Sequence, residues 1–404
     1  MDIMQAKLDV VKAGILLCEK GLIQRTWGNV SCRIDEKTFA ITPSGRDYLS
    51  LTADDIVIVN IDDLSYEGDI KPSSEKGVHA ACYKYREDCN FVIHTHQTMA
   101  SVAGLKGYDI NHLEGESAEI IGKHVPLASY GLPGTKTLRE GVTAAIRRSS
   151  SKAILMKHHG AVCMGTDLEN AFLVASELEK ACEAIFIERY RELTGRTIET
   201  FNSLCEYIAS TLAEEAVADE LEAFDSQRFY NVLEMTPADG GDTIMIDLDS
   251  GKPLDKSVEY PETAELHAMI YKKRKDVNAI THSKEKATVE MSKTGITVKP
   301  FLDDFAQIVG VSLKNAEYNT NNRLRSAKKI VKKMKHRDAV MVKHNGAICV
   351  GSSMDEANAV KLVAEKGCKS YAAAAAYGKQ DEYINPMECA LMRIIYKTKY
   401  SKKK

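Results

Sequence analysis

The chain reads as an α/β protein made of two tandem domains, each a sheet covered by helices on both faces. Three observations predict this. Its 404 residues exceed one ordinary hydrophobic core. Short apolar runs alternate with amphipathic helical patterns, the order that layers helices on a sheet. The chain also contains itself twice. His79–Asn90 matches His267–Asn278 at a shift of 188 residues, with His, Ala, Tyr, Lys, Arg, Asp and Asn identical. Lys157–Gly165 matches Lys343–Gly351 at a shift of 186. A period of about 190 residues marks a duplicated domain rather than a solenoid.

The elements of the first copy follow in order. A helix is expected from Met4 to Lys20, then short strands at Val30–Arg33, Phe39–Thr42 and Ile56–Ile61. A helix over Glu75–Arg86 leads into an apolar strand that ends in His94-Thr-His96. A further helix at Thr137–Arg148 precedes a second apolar strand, Ala153 to His159, that stops at Gly160. A long helix from Asp167 to Tyr190 closes the copy. It carries Glu179-Lys-Ala-Cys182, repeated as Glu365-Lys-Gly-Cys368. The second copy is expected to lack a full counterpart of Gly28–Arg33. The reading places domains at 1–200 and 201–395 and a basic tail at 396–404, with the linker in the polar region between Thr194 and Ser226.

Composition narrows the function classes. A net charge of −3 gives no bulk attraction to nucleic acid or an anionic membrane. No run is long and apolar enough to span a bilayer, and the start is not a secretory signal. The ten cysteines are scattered without a C-x-x-C pair, which suits reduced, buried thiols and a cytoplasmic location. The basic stretch Arg323–Arg337 carries Leu324, Ile330, Val331 and Met334 and reads as an amphipathic helix with a solvated face.

The histidines carry the chemistry. Residues i and i+2 of a strand point to one side, so His94 and His96 can reach one small ion. H-x-H by itself also arises by chance. The second strand adds His158 and His159, and three neutral imidazoles with an open position are the set of a catalytic zinc site. In the second copy His94 becomes His282, His96 becomes Lys284 and His159 becomes Asn345. A lysine ammonium repels a cation, so metal chemistry belongs to the first half. Upstream lie Thr26–Ser31, Ile41–Gly45 and Lys71–Glu75. Ser73, Ser74 and Glu75 open a helix, which suits either an anion site or a plain N-cap.

These segments, in this order, resemble the class II aldolase/adducin family, with the nearest likeness to the fuculose-1-phosphate aldolase type. The likeness covers Met4–Tyr190 well, with the second copy as a degenerate relative. It implies two tandem α/β/α sandwich domains of that type. It assigns His94, His96 and His159 as zinc (or other divalent metal) ligands, His159 being preferred to His158 because the family's ligand directly precedes the glycine. It makes Glu75 a ligand of the resting metal or the acid/base. It places Thr26, Gly28, Asn29, Ser44, Gly45, Ser73 and Ser74 around a substrate phosphate. The family's catalytic tyrosine is missing from Asn111–Glu116. A related dehydratase places a glutamate there, which makes Glu114 the candidate.

The implied function is zinc-dependent cleavage of a ketose 1-phosphate to dihydroxyacetone phosphate and an aldehyde. Methylthioribulose-1-phosphate dehydratase-like or pentulose-phosphate epimerase activity at the same site is the alternative. A non-catalytic adducin-like scaffold is a third reading, against which the intact metal set argues. The resemblance further implies a homo-oligomer, with two chains forming a pseudo-four-fold ring. In that ring a second-copy wall would carry Asp303 and Asp304 as acids for the neighbouring site, or those residues would simply cap a helix beginning near Phe305. His79, repeated as His267, is expected to be structural, and Trp27 walls the pocket or simply packs.

Overall fold

The computed structural model describes residues 1–23, 27–213, 219–255, 257 and 260–400. The chain divides into two compact units, one of Met1–Ile198 with the residues from Thr398 on and one of Glu199–Lys397, each with its own sheet.

The first unit opens with α1 (Ile3–Glu19), whose Asp2 side chain caps it by accepting from the Gln5 N–H. Strands β1 (Asn29–Arg33), β2 (Thr38–Ile41) and β3 (Val57–Asn60) follow as an antiparallel meander. Then come α2 (Lys76–Tyr85), β4 (Phe91–Thr95), α3 (Thr98–Ala103), α4 (Gly115–Ile120) and β5 (Leu127–Ala128). The unit ends with α5 (Lys136–Arg147), β6 (Ala153–Met156), β7 (Ala161–Gly165) and α6 (Leu168–Thr194). The sheet order is β3-β2-β1-β4-β7-β6-β5, antiparallel except for β5 beside β6. Helices α2 and α5 cover one face. Val78, Cys82, Leu138 and Val142 meet Phe39, Val59, Val92 and Val162 there in one buried cluster. On the other face α1 packs on β1 and β2, and α6 packs on β4 and β7.

The second unit contains α7 (Phe201–Leu212), β8 (Phe224–Phe229), β9 (Val232–Pro237), β10 (Ile244–Asp247), β11 (Lys252–Pro253) and α8 (Ala264–Lys273). It continues with β12 (Ala279–Ser283), α9 (Lys286–Lys293), α10 (Asp303–Ile308), β13 (Asn315–Ala316), α11 (Arg323–Met334) and β14 (Ala339–Val342). Last come β15 (Ala347–Gly351), α12 (Met354–Ala376) and α13 (Pro386–Ile395). Its sheet order, β11-β10-β9-β8-β12-β15-β14-β13, repeats the first with one added edge strand.

Several expectations change. The second copy does have a counterpart of the strand Gly28–Arg33. Ser31 pairs with Val92, Ser226 pairs with Ile280, and Val92 and Ile280 are equivalent. Strand β8 is therefore the counterpart, at a shift of 195 rather than 188. The region read as linker contains α7 and the start of β8. The strand expected to run to His159 stops at Met156. Asp303 and Asp304 are 1% and 3% exposed in the first turn of α10, and Asp304 is paired with Lys366 at 2.7 Å. Both side chains are thus buried within their own unit, and Asp304 is engaged there by Lys366. The helix they open has Leu302, not an aspartate, at its N-cap.

Other segments meet plainer ends. Helix α11 buries Ser326, Ala327, Ile330 and Met334 and exposes its basic face. Lys397, read as part of a basic tail, holds Asp338 at 2.8 Å, and residues 401–404 lie outside the described set. All ten cysteines are free, and nine are buried. Among the described residues no helix is long and apolar enough to cross a membrane.

Candidate active site

Three elements of the first unit bring the site together. Strand β4 ends at Thr95, so His94 lies on the strand and His96 just beyond it. The turn between β6 and β7 supplies His159, whose N–H donates to the Met156 carbonyl. A Cβ on Gly160 would lie 2.2 Å from the Thr95 carbonyl oxygen, so only glycine lets this turn approach the histidine strand. The loop entering α2 supplies Glu75, whose N–H donates to Ser73 Oγ at 3.2 Å.

The side chains converge. His94, His96 and His159 offer ring nitrogens that all lie within 4.8 Å of one another. His94 and His159 stack at 4.8 Å, with their planes 1° apart. The Glu75 carboxylate bridges them, with Oε2 3.2 Å from His94 Nε2 and Oε1 3.0 Å from His159 Nε2. His158 turns away instead, at a positive φ of 62°, with Tyr130 edge-on to its ring at 5.2 Å.

The protonation states suit a cation. His94 Nδ1–H donates to the Ala161 carbonyl at 2.9 Å, which leaves the Nε2 lone pair facing the cluster. Burial drives the His94 pKa well below the ordinary imidazole range, so the ring is neutral. Burial raises the Glu75 pKa, but its neighbours, among them the Asn29 amide that donates to Oε2, outweigh this and hold the carboxyl well below its usual range. A neutral His94 and two further imidazoles beside a buried carboxylate are the donor types that hold a divalent ion. The residues fit such an ion.

The expected phosphate segments lie side by side. Ser44 N–H donates to the Lys71 carbonyl, and Ser73 N–H donates to the Thr42 carbonyl. This pairs Thr42–Gly45 with Lys71–Ser74 next to the N-terminus of α2. Gly134, before α5, approaches Ser74 on the same side. Gly28 adopts φ +116, and a Cβ there would lie 2.6 Å from the His94 carbonyl oxygen. The Gly28 carbonyl accepts from the buried Tyr48 hydroxyl at 2.6 Å. Thr26 lies outside the described residues. Asn29, expected in the phosphate pocket, turns its amide to Glu75 instead, with Nδ2 donating to Oε2 at 3.0 Å. Glu114 is exposed at the N-cap of α4 and makes no bond to Glu75 or the three histidines. Trp27 is half-buried.

Sequence reasoning missed the network behind Asn29. Ser31 Oγ lies 2.6 Å from His79 Nδ1 and 2.6 Å from the Tyr83 hydroxyl, while His79 Nε2 bonds Asn29 Oδ1. The signal was present in Ser31-Cys-Arg33 against Ser226-Gln-Arg228, but at the unexpected shift of 195.

In the second unit the equivalent site is filled by its own chain. Asn345 Oδ1 accepts from Leu221 N–H at 2.8 Å, and its Nδ2 donates to the Asp219 carbonyl at 2.9 Å. His282 bonds the Asn345 carbonyl at 2.7 Å.

The chain is 31% identical to a 5-deoxy-D-ribulose 1-phosphate aldolase of Bacillus thuringiensis over 189 residues, 46% of this chain and 87% of that protein. It is 39% identical to a 5-methylthioribulose-1-phosphate/5-deoxyribulose-1-phosphate aldolase of Escherichia coli over 159 residues, 39% of this chain and 73% of the relative. It is 36% identical to an L-fuculose phosphate aldolase of Escherichia coli K12, again over 159 residues, 39% of this chain and 72% of the relative. Two segments, residues 8–186 and 231–372, each match one family description, and together they span most of both copies. The chain belongs, as a tandem duplication, to the Class II Aldolase and Adducin N-terminal domain family.

Proposed function

We propose that the first unit is a zinc-dependent aldolase that cleaves a ketose 1-phosphate to dihydroxyacetone phosphate and an aldehyde. The observation that carries this reading is the Glu75 carboxylate set between the Nε2 atoms of His94 and His159. A base held there can exchange a proton with carbon next to a polarised carbonyl. The three relatives named above are all described as aldolases of ketose phosphates, which supports the same class of substrate.

A divalent ion held by His94, His96 and His159 would supply Lewis acidity toward the substrate carbonyl. The chain's own residues do the rest. Ser44, Gly45, Ser73 and Ser74 hold the phosphate at the N-terminus of α2, where the positive end of the helix dipole favours an anion. That contact, remote from the breaking bond, orients C3 against Glu75. Cleavage breaks the C3–C4 bond and leaves its electron pair on C3. Glu75 returns a proton to C3, and in the reverse direction removes it. Glu114, carried from the family likeness, is the proposed partner for the proton of the C4 hydroxyl. The family likeness carries the further proposal of a cytoplasmic homo-oligomer.

The test is an assay of metal-loaded protein against a panel that includes L-fuculose 1-phosphate and 5-deoxyribulose 1-phosphate. Both dihydroxyacetone phosphate release and loss of water are scored. Release that Glu75→Gln abolishes supports cleavage. Water loss without triose release transfers the reading to a dehydratase.

A further inference from the structure

We infer that His79 is a positioning residue for Glu75, acting through Asn29 as the central link of a directed hydrogen-bond chain. The inference rests on the reading of Glu75 as the acid/base. Five buried side chains connect in order: Tyr83, Ser31, His79, Asn29 and Glu75.

Chemistry fixes the direction of every link. An ionised carboxylate only accepts, so Asn29 must present Nδ2 to Glu75, which it does at 3.0 Å. Its Oδ1 then faces His79 and needs a donor, so His79 carries its proton on Nε2. The His79 Nδ1 is left as an acceptor and takes the Ser31 hydroxyl proton across 2.6 Å. Ser31 Oγ, its proton spent, accepts from the Tyr83 hydroxyl at 2.6 Å. One tautomer of one buried imidazole therefore determines which way the Asn29 amide points, and with it the donor that aims Glu75 Oε2.

The second unit separates scaffold from function. Ser226 lies 2.8 Å from His267 Nδ1 and 2.9 Å from the Tyr271 hydroxyl, the same triplet in the same places. The strand register replaces Asn29 with Phe224, and the repeat replaces Glu75 with Thr263. There His267 Nε2 and Thr263 Oγ1 are buried without a hydrogen-bond partner. Tyr271 also donates to the Ser226 carbonyl at 3.0 Å, a bond outside the chain. The Nδ1 side of this histidine thus serves the fold in both units. Its Nε2 side has a task only where a carboxylate stands at the end.

The experiment compares full-length His79→Leu, His79→Gln, Ser31→Ala and His267→Leu proteins. Imidazole 15N NMR of histidine-labelled protein is the readout independent of activity. His79 is assigned by the signal lost in His79→Gln and is expected as the Nε2–H tautomer. His79→Leu is expected to lower kcat by about 10–100-fold on the ketose 1-phosphate turned over, with KM within about twofold. His79→Gln, which keeps an N–H donor for Asn29, should recover most of that loss. His267→Leu should lower thermal stability and leave kcat unchanged. An Nδ1–H tautomer at His79 overturns the inference, as does a folded His79→Leu protein with wild-type kcat. If His79→Leu does not fold, Ser31→Ala decides: loss of the Nε2–H tautomer with a kcat loss below twofold also overturns it, whereas loss of the tautomer together with a larger kcat loss supports it. Failure of the acid/base reading shows separately, as an active Glu75→Gln protein.

Discussion

Glu75 Oε1 and His159 Nε2 lie 3.0 Å apart although 84 residues separate them in the chain. The helix start and the turn after β6 can meet only because β4 runs between them and carries His94 to the same point. A cation held here takes one imidazole from the strand, one from just past its end and one from the turn. Removing any one should be severe, because the remaining pair chelates poorly.

The His159→Asn protein, which copies the Asn345 of the second unit, should lose nearly all bound metal. Elemental analysis of pure wild-type protein should find about one divalent ion per chain, held by the first unit. Two ions per chain would show that the second unit binds metal despite Lys284 and Asn345.

Gly160→Ala should be disruptive for a reason of space. Its Cβ would lie 2.2 Å from the Thr95 carbonyl oxygen and 3.4 Å from His94 Cε1. Backbone must move, at a cost of about 1–3 kcal/mol, and the histidine turn moves with it. Metal affinity should fall along with the melting temperature. The matched change Gly346→Ala, 2.0 Å from the Ser283 carbonyl oxygen, should lower stability and leave metal affinity alone. Equal metal affinity in Gly160→Ala and wild type would refute the coupling.

The metal set was legible because few residue types can ligate, and H-x-H with a later H-H-G restricts them further. His159 rather than His158 faces the cluster, since His158 is turned out by its positive φ. The counterpart of β1 was not legible. Matching by identity follows a constant shift, and the strand carrying Ser226 obeys another. The closed second site was equally hidden. Its key contact joins Leu221 to Asn345, and neither residue type suggests the other. The pairing of Asp304 was also hidden, because acidic residues near a helix start look like caps or acids, while burial against Lys366 depends on tertiary packing.

Replacing Ser73 and Ser74 together by alanine should raise KM for a phosphorylated ketose and lower kcat as well. Binding energy remote from the reacting bond orients the end that reacts. Ser73 Oγ also accepts the Glu75 N–H at 3.2 Å, so part of the kcat loss should come from a less fixed Glu75. Steady-state kinetics on both the phosphorylated sugar and its free form check this. A variant equally impaired on both would rule out a phosphate role.

Asp338 anchors the C-terminal part of the second unit. It is 3% exposed and meets Arg274 at 2.8 Å, Arg393 at 2.7 Å and Lys397 at 2.8 Å. Asp338→Ala strips the counter-charge from three cations and should cost about 3–5 kcal/mol. Denaturant unfolding should show the loss, with dihydroxyacetone phosphate release unaffected at low temperature.

Acid should weaken the second unit through two buried histidines. Burial is the main cause that lowers the His267 pKa to about 3 and the His282 pKa to about 4, from an ordinary value of 6.5. Both are neutral when folded, whereas in the unfolded chain they gain a proton below about pH 6.5. The unfolded state then binds more protons, so stability rises with pH in this window. The contribution is complete above about pH 6.5 and is lost as pH falls toward 4, with a slope of up to about 1.4 kcal/mol per pH unit for each histidine. Urea unfolding at pH 7.5 and pH 5 should show this difference in wild type. His267→Gln, though less stable at neutral pH, should show a smaller difference, because one of the two titrating groups is gone. An unchanged pH dependence in that variant would mean that His267 does not contribute to the acid sensitivity.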